Sequence, residues 1–529
     1  VPRATAPRHW AKTQHNLGVA HTNRVGGNRA DNVKAAMSCY HLALDVRTRE
    51  AAPLDWAKTQ CNLGLAYSNR VGGDRAANVK MSMECYRLAL GVNTLEAAPL
   101  DWAMTQCNLG NAYTDRVGGN RAANIEAAME CYRRSLEVMT NEAAPLDWAK
   151  TQVNLGNAYS IRLDGHRRAN FEAAMACYRL ALEVYTREAT PWPWAKTHCN
   201  LGNAYSNCVD GDCAANLEAA MASYRLALEV NTREAAPLDW ARTQHNLGVA
   251  HSNRVGGDRA ADVEAAMTCY RLALEVRTRE TSPMDWARTQ YNLGISHTHR
   301  VGGDRAANVE AAMVCYRLAL EVRTRKTAPL DWARTQHSLG VAYTNRVGGD
   351  RTANVEAAIA CYRLSLEVMT LKRAPQHWAR TQQSLGIAYT DRMGGDRAAN
   401  VEAAMACYRL ALEVRTREAA PLDWAATKHD IGVAYSYRVS GDRAANVKAA
   451  IACYRLALEV RTRVAAAQQW AHTSWQLLLI LPDSKQWVDA LATARALQAF
   501  GSEWSCWVDR ETSLVTRIAA LERRVALGE

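Results

Sequence analysis

The sequence predicts an all-α protein in which antiparallel helix pairs stack into an α-solenoid, and three observations support this. A tryptophan recurs every 46 residues from Trp10 to Trp470, without an insertion or a deletion. Each interval holds two stretches in which apolar residues follow helical spacing, and a Gly-Gly turn separates them in most intervals. A single helix pair cannot bury its apolar faces, so successive pairs must stack on one another.

The phase of the repeat divides the 529-residue chain into three parts. Residues 1–9 align with the end of a repeat, and we expect them to be the tail of a missing upstream repeat. Residues 10–469 contain ten tandem repeats. Residues 470–529 form a divergent final repeat and an amphipathic segment that is typical of a C-terminal capping helix.

Within the repeat at Trp56, the first helix, helix A, is predicted from Trp56 to Arg70. Asp55 is its expected N-cap, since a side-chain oxygen there can accept a hydrogen bond from a free backbone N–H group. The Gly72–Gly73 pair ends helix A, and either Asp74 or Asn78 is expected to cap the second helix, helix B.

The residues of these helices resemble a known family. The run Asn-Leu-Gly-Asn-Ala-Tyr at 108–113 is followed in helix B by Ala128, Tyr132, Ser135 and Leu136. This pattern resembles the tetratricopeptide (TPR) signature, although the repeat is longer than the usual length of about 34 residues. The resemblance implies a TPR-like right-handed superhelix that binds proteins or peptides in a groove lined by helix A. Long repeats of this kind also resemble arrays that bacterial signalling proteins carry beside an effector domain.

Three columns of helix A residues, each repeating every 46 positions, are the candidate binding surface that this resemblance implies. The first is a cationic ladder: Lys12, Lys58, Lys150, Lys196, Arg242, Arg288, Arg334 and Arg380. The second varies most and includes His15, His245, Tyr291 and His337. The third is apolar at both ends and amide-bearing in the middle, at Asn111, Asn157 and Asn203. Such amides could bond a peptide backbone, but drift on a solvated face remains an equal alternative.

The charge balance favours an acidic protein partner over nucleic acid. The net charge is +11, and the repeat at Trp424 holds 7 basic and 3 acidic residues against 4 and 6 in the repeat at Trp102. Two helices per repeat at 8 to 10 Å would space the ladder about 20 Å apart, beyond the Debye length of about 8 Å. The ladder would then not act as one dense patch. Nucleic-acid sites also usually interleave clustered cations with stacking aromatic residues, which this sequence lacks.

The sequence gives no support for an enzyme or for a bound cofactor. It contains no phosphate-binding loop, no paired-histidine zinc motif and no calcium loop. One repeat replaces two recurring arginines by Cys208 and Cys213, with His198 and Cys199 on the preceding helix. Neutral substitution, a Cys208–Cys213 disulfide and a zinc site formed by all four residues are the open interpretations, in that order.

Two further observations concern compartment and assembly. Nine cysteines occupy one repeat position and lie too far apart to form disulfides, which indicates a reducing, cytoplasmic environment. No apolar run is long enough to span a membrane. Near-identical repeats could also stack end to end, so self-association into a filament remains an alternative to partner binding.

Overall fold

The computed structural model describes residues 3–208, 212–254, 256–503 and 507–527. All the regular secondary structure within these ranges is helical. The chain forms two compact halves, residues 1–276 and 277–529. None of the described helices combines the length and the apolar character needed to cross a membrane.

Helices A and B alternate along the chain. The helices A are α1 (Pro7–Asn23), α3 (Pro53–Ser68), α5 (Pro99–Thr114), α7 (Pro145–Ile161), α9 (Pro191–Asn207), α11 (Pro237–Asn253), α13 (Pro283–His299), α15 (Pro329–Thr344), α17 (Pro375–Asp391), α19 (Pro421–Tyr437) and α21 (Ala467–Ile480). The helices B are α2 (Arg29–Leu44), α4 (Arg75–Leu90), α6 (Arg121–Val138), α8 (Arg167–Val184), α10 (Cys213–Leu228), α12 (Arg259–Leu274), α14 (Arg305–Val322), α16 (Arg351–Leu366), α18 (Arg397–Leu412) and α20 (Arg443–Val460). Two further helices follow, α22 (Trp487–Phe500) and α23 (Trp507–Ala526), with short 3₁₀ turns at Leu481–Ser484 and Gly501–Glu503.

Helix A begins at a proline in ten repeats. In α3 the N-cap is Ala52, Pro53 is the first helical residue, and Asp55 lies inside the first turn. The prediction that Asp55 caps this helix was wrong, because proline lacks an N–H group and its fixed φ suits the first helical position. The Asp55 carboxylate still stabilises the helix, since it lies near the positive end of the helix dipole.

Helix B begins directly after the glycine-rich turn. In α4 the Asp74 side chain accepts a hydrogen bond from the backbone N–H of Ala76, 2.9 Å away, and is therefore the N-cap. The other candidate cap, Asn78, lies within the helix, and its side-chain amide donates to the carbonyl of Gly72 at 3.2 Å. This second bond ties the turn to the helix that follows it.

The two helices of each repeat pack through one glycine and one tyrosine. A Cβ atom added to Gly110 would lie 2.6 Å from Cε1 of Tyr132, whose side chain is 1% exposed. The same close pair recurs in all ten repeats, from Gly18 with Tyr40 to Gly432 with Tyr454. The Leu-Gly and aromatic positions of the TPR signature therefore correspond to the closest approach of helix A to helix B.

Helices A form the closer-packed layer within each half. Neighbouring helices A contact one another, for example α1 with α3 and α15 with α17, whereas no two neighbouring helices B are in contact among the described residues. Within each half, a helix B packs instead between the helix A of its own repeat and the helix A of the next, as α2 does between α1 and α3. The helices A of each half consequently lie side by side, and the candidate columns run across them.

The last helices share one apolar core. Leu478 of α21 and Leu497 of α22 are fully buried against α20 and against Leu514 of α23. Ile518 and Leu521 of α23 complete this cluster. The apolar residues that follow Trp470 are thus packed around the final helices.

Candidate functional site

The cationic ladder lies on the exposed side of helix A. Arg242 is half-buried and the other ladder side chains are exposed. Among the described residues, ion pairs hold Arg242 to Asp239 and Arg288 to Asp285, each at 2.7 Å, and Arg334 to Asp331 at 3.8 Å. The lysines and Arg380 form no ion pair in the described parts of the chain.

The expected 20 Å spacing of the ladder was wrong. Because neighbouring helices A within each half contact directly, ladder residues on adjacent helices A are separated by one interhelical distance of about 8 to 10 Å, which is close to the Debye length. Lys150 and Lys196 accordingly line the same cavity. In the C-terminal half, Arg334 and Arg380 both help to lower the pKa of His377, after the larger effect of its burial. Neighbouring ladder charges therefore act together.

The variable column turns inward, between neighbouring helices A. His15 is 5% exposed; its Nδ1 lies 3.1 Å from the Thr59 hydroxyl of the next repeat, and Asn62 donates to its Nε2. Burial, followed by the Arg47 charge, lowers the pKa of His15 to about 4. His245 is 3% exposed, so neither histidine is within direct reach of a partner.

The half-buried members of this column also bridge repeats. The Tyr291 hydroxyl lies 3.3 Å from that of Ser338, and the Thr381 hydroxyl lies 3.1 Å from Nδ1 of His337. The variation that marked this column as a binding surface therefore lies at contacts between repeats.

The amide column has its oxygen atoms turned into the protein. Asn157 Oδ1 accepts hydrogen bonds from the Tyr178 hydroxyl at 2.8 Å and from the Asn200 side chain at 3.1 Å. Asn203 Oδ1 accepts from Tyr224 and Asn246 in the same way, each at 2.8 Å. Because these bonds fix the oxygen, the Nδ2 group keeps its two donors, which have no acceptor among the described residues.

Asn111 begins the same segment. Its Oδ1 accepts a hydrogen bond from the Tyr132 hydroxyl at 2.8 Å. The three asparagines therefore share one orientation, with the amide nitrogen away from the tyrosine.

A cavity of about 400 Å³ lies where the ladder and the amide segment meet. Its lining residues come from three consecutive repeats: Lys150, Val153, Asn154, Asn157, Tyr185, Trp192, Pro193, Lys196, Thr197, Asn231 and Asp239. Two lysines and three asparagine amides are thus gathered around an apolar floor. A binding site for a peptide has this composition, since apolar surface gives affinity and a few polar groups give orientation.

Most of the lining residues were missed by sequence reasoning, among them Tyr185, Trp192 and Asn231. Trp192 is 48% exposed and offers a large apolar face at the rim of the cavity. Asn231 is 3% exposed, and its side chain forms no hydrogen bond with the described residues. A buried amide without a partner is costly, and Asn93, at the same repeat position, also has a buried oxygen without a partner among the described residues.

A signal for Tyr185 and Asn231 was present in the sequence. They occupy one repeat position at the end of helix B that varies as much as the column of His15: Arg47, Asn93, Met139, Tyr185, Asn231, Arg277, Arg323, Met369, Arg415 and Arg461. Trp192 replaces the leucine or methionine that most other repeats carry at this position.

The four residues considered for zinc do not come together. Cys199 is fully buried beside the Thr243 hydroxyl, which donates to its Sγ at 3.7 Å, whereas the ring of His198 packs edge-on against Trp194. Adjacent residues on a helix point about 100° apart, which accounts for this separation. Cys208 and Cys213 do not form a disulfide, and the described residues contain no metal-binding group of histidine, cysteine or carboxylate side chains.

Comparison with solved structures identifies the fold. A Signal Transduction ATPase with Numerous Domains (STAND) protein with a tetratricopeptide repeat sensor, from Pyrococcus horikoshii, is 11% identical; the match covers 85% of this chain and 63% of that chain, with a TM-score of 0.51. This chain has the tetratricopeptide-repeat fold. The TPR array is also similar to the apo form of RapI, with 14% sequence identity and a TM-score of 0.46. That match covers 77% of this chain and 98% of the RapI chain.

A third match is the C-terminal part of a TPR repeat-containing protein from Cytophaga hutchinsonii. It is 13% identical to this TPR array, covers 55% of this chain and 90% of that chain, and has a TM-score of 0.33. No family model and no curated protein matches the sequence. Likeness at these identities concerns the fold alone.

Proposed function

We propose that this TPR array is a protein-binding scaffold, and that helices α7 and α9 hold an extended peptide segment of its partner. The observation that carries the proposal is this cavity, where the Nδ2 group of Asn157 and the amide of Asn231 lie without a hydrogen-bond partner among the described residues. TPR-type arrays commonly serve as protein-binding scaffolds, which supports a protein partner over a small substrate.

The lining residues suit a peptide for distinct reasons. The Nδ2 group of Asn157 donates to a backbone carbonyl, and the buried Asn231 amide satisfies a second polar group of the peptide. An apolar side chain of the peptide fills the space between Tyr185 and Trp192. The ammonium group of Lys150, together with that of Lys196, favours a peptide with an acidic residue.

The same proposal extends to the setting of the protein. The array is the sensor or scaffold arm of a larger bacterial signalling assembly in the cytoplasm. No described cysteine forms a disulfide, which supports a reducing compartment. Burial raises the pKa of several of them, such as Cys131 to about 11, so these thiols are unreactive at neutral pH.

Selection of random displayed peptides against the purified chain tests the proposal. Enriched peptides are then labelled, and their affinity for variants is measured by fluorescence anisotropy. The variants Asn157→Val and Asn231→Met carry residues that other repeats hold at the same positions, Val249 and Met139, so folding is preserved. We expect each variant to weaken binding about tenfold, since each removes one or two hydrogen bonds of about 1 kcal/mol.

Asn93→Met is the matched control, because Asn93 occupies the same repeat position as Asn231 but does not line the cavity. Asn157→Asp separates donation from packing, because a carboxylate keeps the two inward acceptor bonds and loses the outward donors. Enriched peptides that bind wild type, Asn157→Val and Asn231→Met equally would refute the groove assignment.

A further inference from the structure

A second surface differs from the rest of the array by its charge, and it lies in the C-terminal half. Most repeats have glutamate in the connection from helix B to helix A, as at Glu280 and Glu418, but the two repeats between them have Lys326 and Lys372. Lys372 is followed by Arg373. The sign of the charge is thus reversed at two neighbouring connections.

At the position of Arg373 the other nine repeats carry an uncharged alanine or threonine, so this cation is peculiar to one repeat.

The first turn of α17 continues this change. His377 replaces the aspartate that precedes the tryptophan in seven repeats, and Arg380 follows it on the ladder. In the preceding repeats Asp285 pairs with Arg288 and Asp331 with Arg334, but His377 gives Arg380 no such partner. The basic patch is defined as Lys326, Arg334, Lys372, Arg373, His377 and Arg380.

Among the described residues, these substitutions bring no compensating contact. Glu280 is held in its own turn by the Thr278 hydroxyl, a hydrogen bond that keeps the pKa of this carboxyl below its ordinary value. Lys326, Lys372 and Arg373 are exposed and form no ion pair with the described residues. Like charges on adjacent repeats repel one another, and no contact in the described parts of the chain offsets that repulsion.

The surroundings of the patch distinguish between two classes of acidic partner. The exposed large side chains beside it are Leu330 and Leu371, at 38% and 44% exposure, whereas Trp332 and Trp378 are half-buried. Nucleic-acid sites commonly offer exposed aromatic rings for base stacking. Cations mixed with exposed leucines fit a protein segment that carries both carboxylates and apolar side chains.

We propose that the basic patch docks an acidic segment of a partner protein. The inference concerns residues separate from the groove at Asn157, so either proposal can fail without the other. The charge of the patch attracts glutamate or aspartate side chains, and the flanking leucines contact the apolar side chains between them.

The test uses a variant that restores the residues of the other repeats, Lys372→Glu, Arg373→Ala and His377→Asp. The probe is a fluorescein-labelled peptide of Glu-Glu-Leu triplets, and its affinity is measured by anisotropy at low and physiological salt. We expect the variant to bind about tenfold more weakly, and the affinity of the wild type to fall as salt rises.

The matched control is Lys34→Glu with Lys80→Glu, which also restores the glutamate of other repeats, but on helix B of the N-terminal half. The patch variant and the control variant change the formal charge equally. Each Lys→Glu change removes two positive charges, and the Arg→Ala and His→Asp changes, with neutral histidine, each lower the charge by one. An equal loss in the control would overturn the proposal, because bulk charge would then explain the binding. Tighter binding of a single-stranded oligonucleotide, lost in the patch variant, would overturn the protein assignment, and unchanged binding by Asn157→Val separates the patch from the groove.

Discussion

Replacing Gly340 by alanine tests the contact that holds helix A to helix B. Alanine has a helix propensity about 1 kcal/mol better than glycine, so propensity alone predicts stabilisation. In this repeat, however, the new Cβ would lie 2.6 Å from Cε1 and 2.9 Å from Cδ1 of Tyr362. Carbon atoms prefer about 3.5 to 4.0 Å, so the ring would have to move by about 0.9 Å.

The Tyr362 ring has little room for that movement. It is 1% exposed, and its hydroxyl lies 3.2 Å from the Thr344 hydroxyl. Overpacking of this kind costs about 1 to 3 kcal/mol. With three ring atoms in close contact we take the upper end, so Gly340→Ala should lose about 2 kcal/mol after the gain in propensity.

Gly348 in the same repeat is the matched control. A Cβ there meets no atom within 4 Å, and the residue does not need a positive φ. Gly348→Ala should therefore be neutral or stabilise by about 0.5 kcal/mol. The two substitutions have opposite expected signs although their chemistry is identical.

Hydrogen exchange of α15 and α16, together with urea unfolding, measures the difference, because a repeat array need not unfold in one step. Exchange should speed up in these two helices for Gly340→Ala and remain unchanged for Gly348→Ala. If Gly340→Ala were as stable as the wild type, the ring would have room to move and the packing argument would be wrong. Replacing the ring by a smaller side chain, with Tyr362→Leu, should reduce the loss of stability that Gly340→Ala causes.

Two further predictions concern pH. Burial, followed by the charges of His472 and Arg461, lowers the pKa of His429 to about 3. The wild type should therefore lose about 2 kcal/mol of folding stability relative to His429→Gln as the pH falls from 7 to 4.5, which melting curves of both proteins measure. If the two proteins lost stability equally, His429 would not be the group that titrates. Burial raises the pKa of Asp430 to about 6. Asp430→Asn should therefore stabilise the fold by about 2 kcal/mol at pH 7.5 and by almost nothing at pH 4. A gain in stability that is equal at both pH values would contradict the raised pKa of Asp430.

The local sequence determined much of the fold. The spacing of tryptophans predicted the helix pairs. Asp74, one of the two residues predicted as the possible cap of helix B, is the N-cap, because its side chain is followed by free N–H groups at a helix start. Asp55 was misplaced because an aspartate three positions into a helix and one at the N-cap look alike when a proline precedes both. The ladder spacing was also wrong, because the sequence cannot reveal that helices A touch each other directly.

The candidate site was predicted only in part. Asn157 and Lys150 were found because their columns change along helix A, where the resemblance places a groove. Asn231 was missed because it comes from the end of helix B, and only the fold brings it beside Asn157. A cavity built from three repeats depends on contacts that the order of residues in one repeat does not contain.

Variation among near-identical repeats has two causes that the structure separates. Members of the column of His15 face members of the column of Arg47 within the same repeat. Tyr291 lies 5.0 Å beneath the Arg323 guanidinium, and Gln383 accepts a hydrogen bond from Arg415. Packing inside the repeat therefore accounts for these variable residues.

Variation that no internal partner matches has a different meaning. Lys372 and Arg373 reverse or add charge on the surface without an ion pair to the described residues, and the buried amide of Asn231 has no hydrogen-bond partner among them. Asn93, at the position of Asn231 in another repeat, also has a buried oxygen without a partner, but only Asn231 lines the cavity. The two proposed binding surfaces rest on such residues, and not on the most variable column as such.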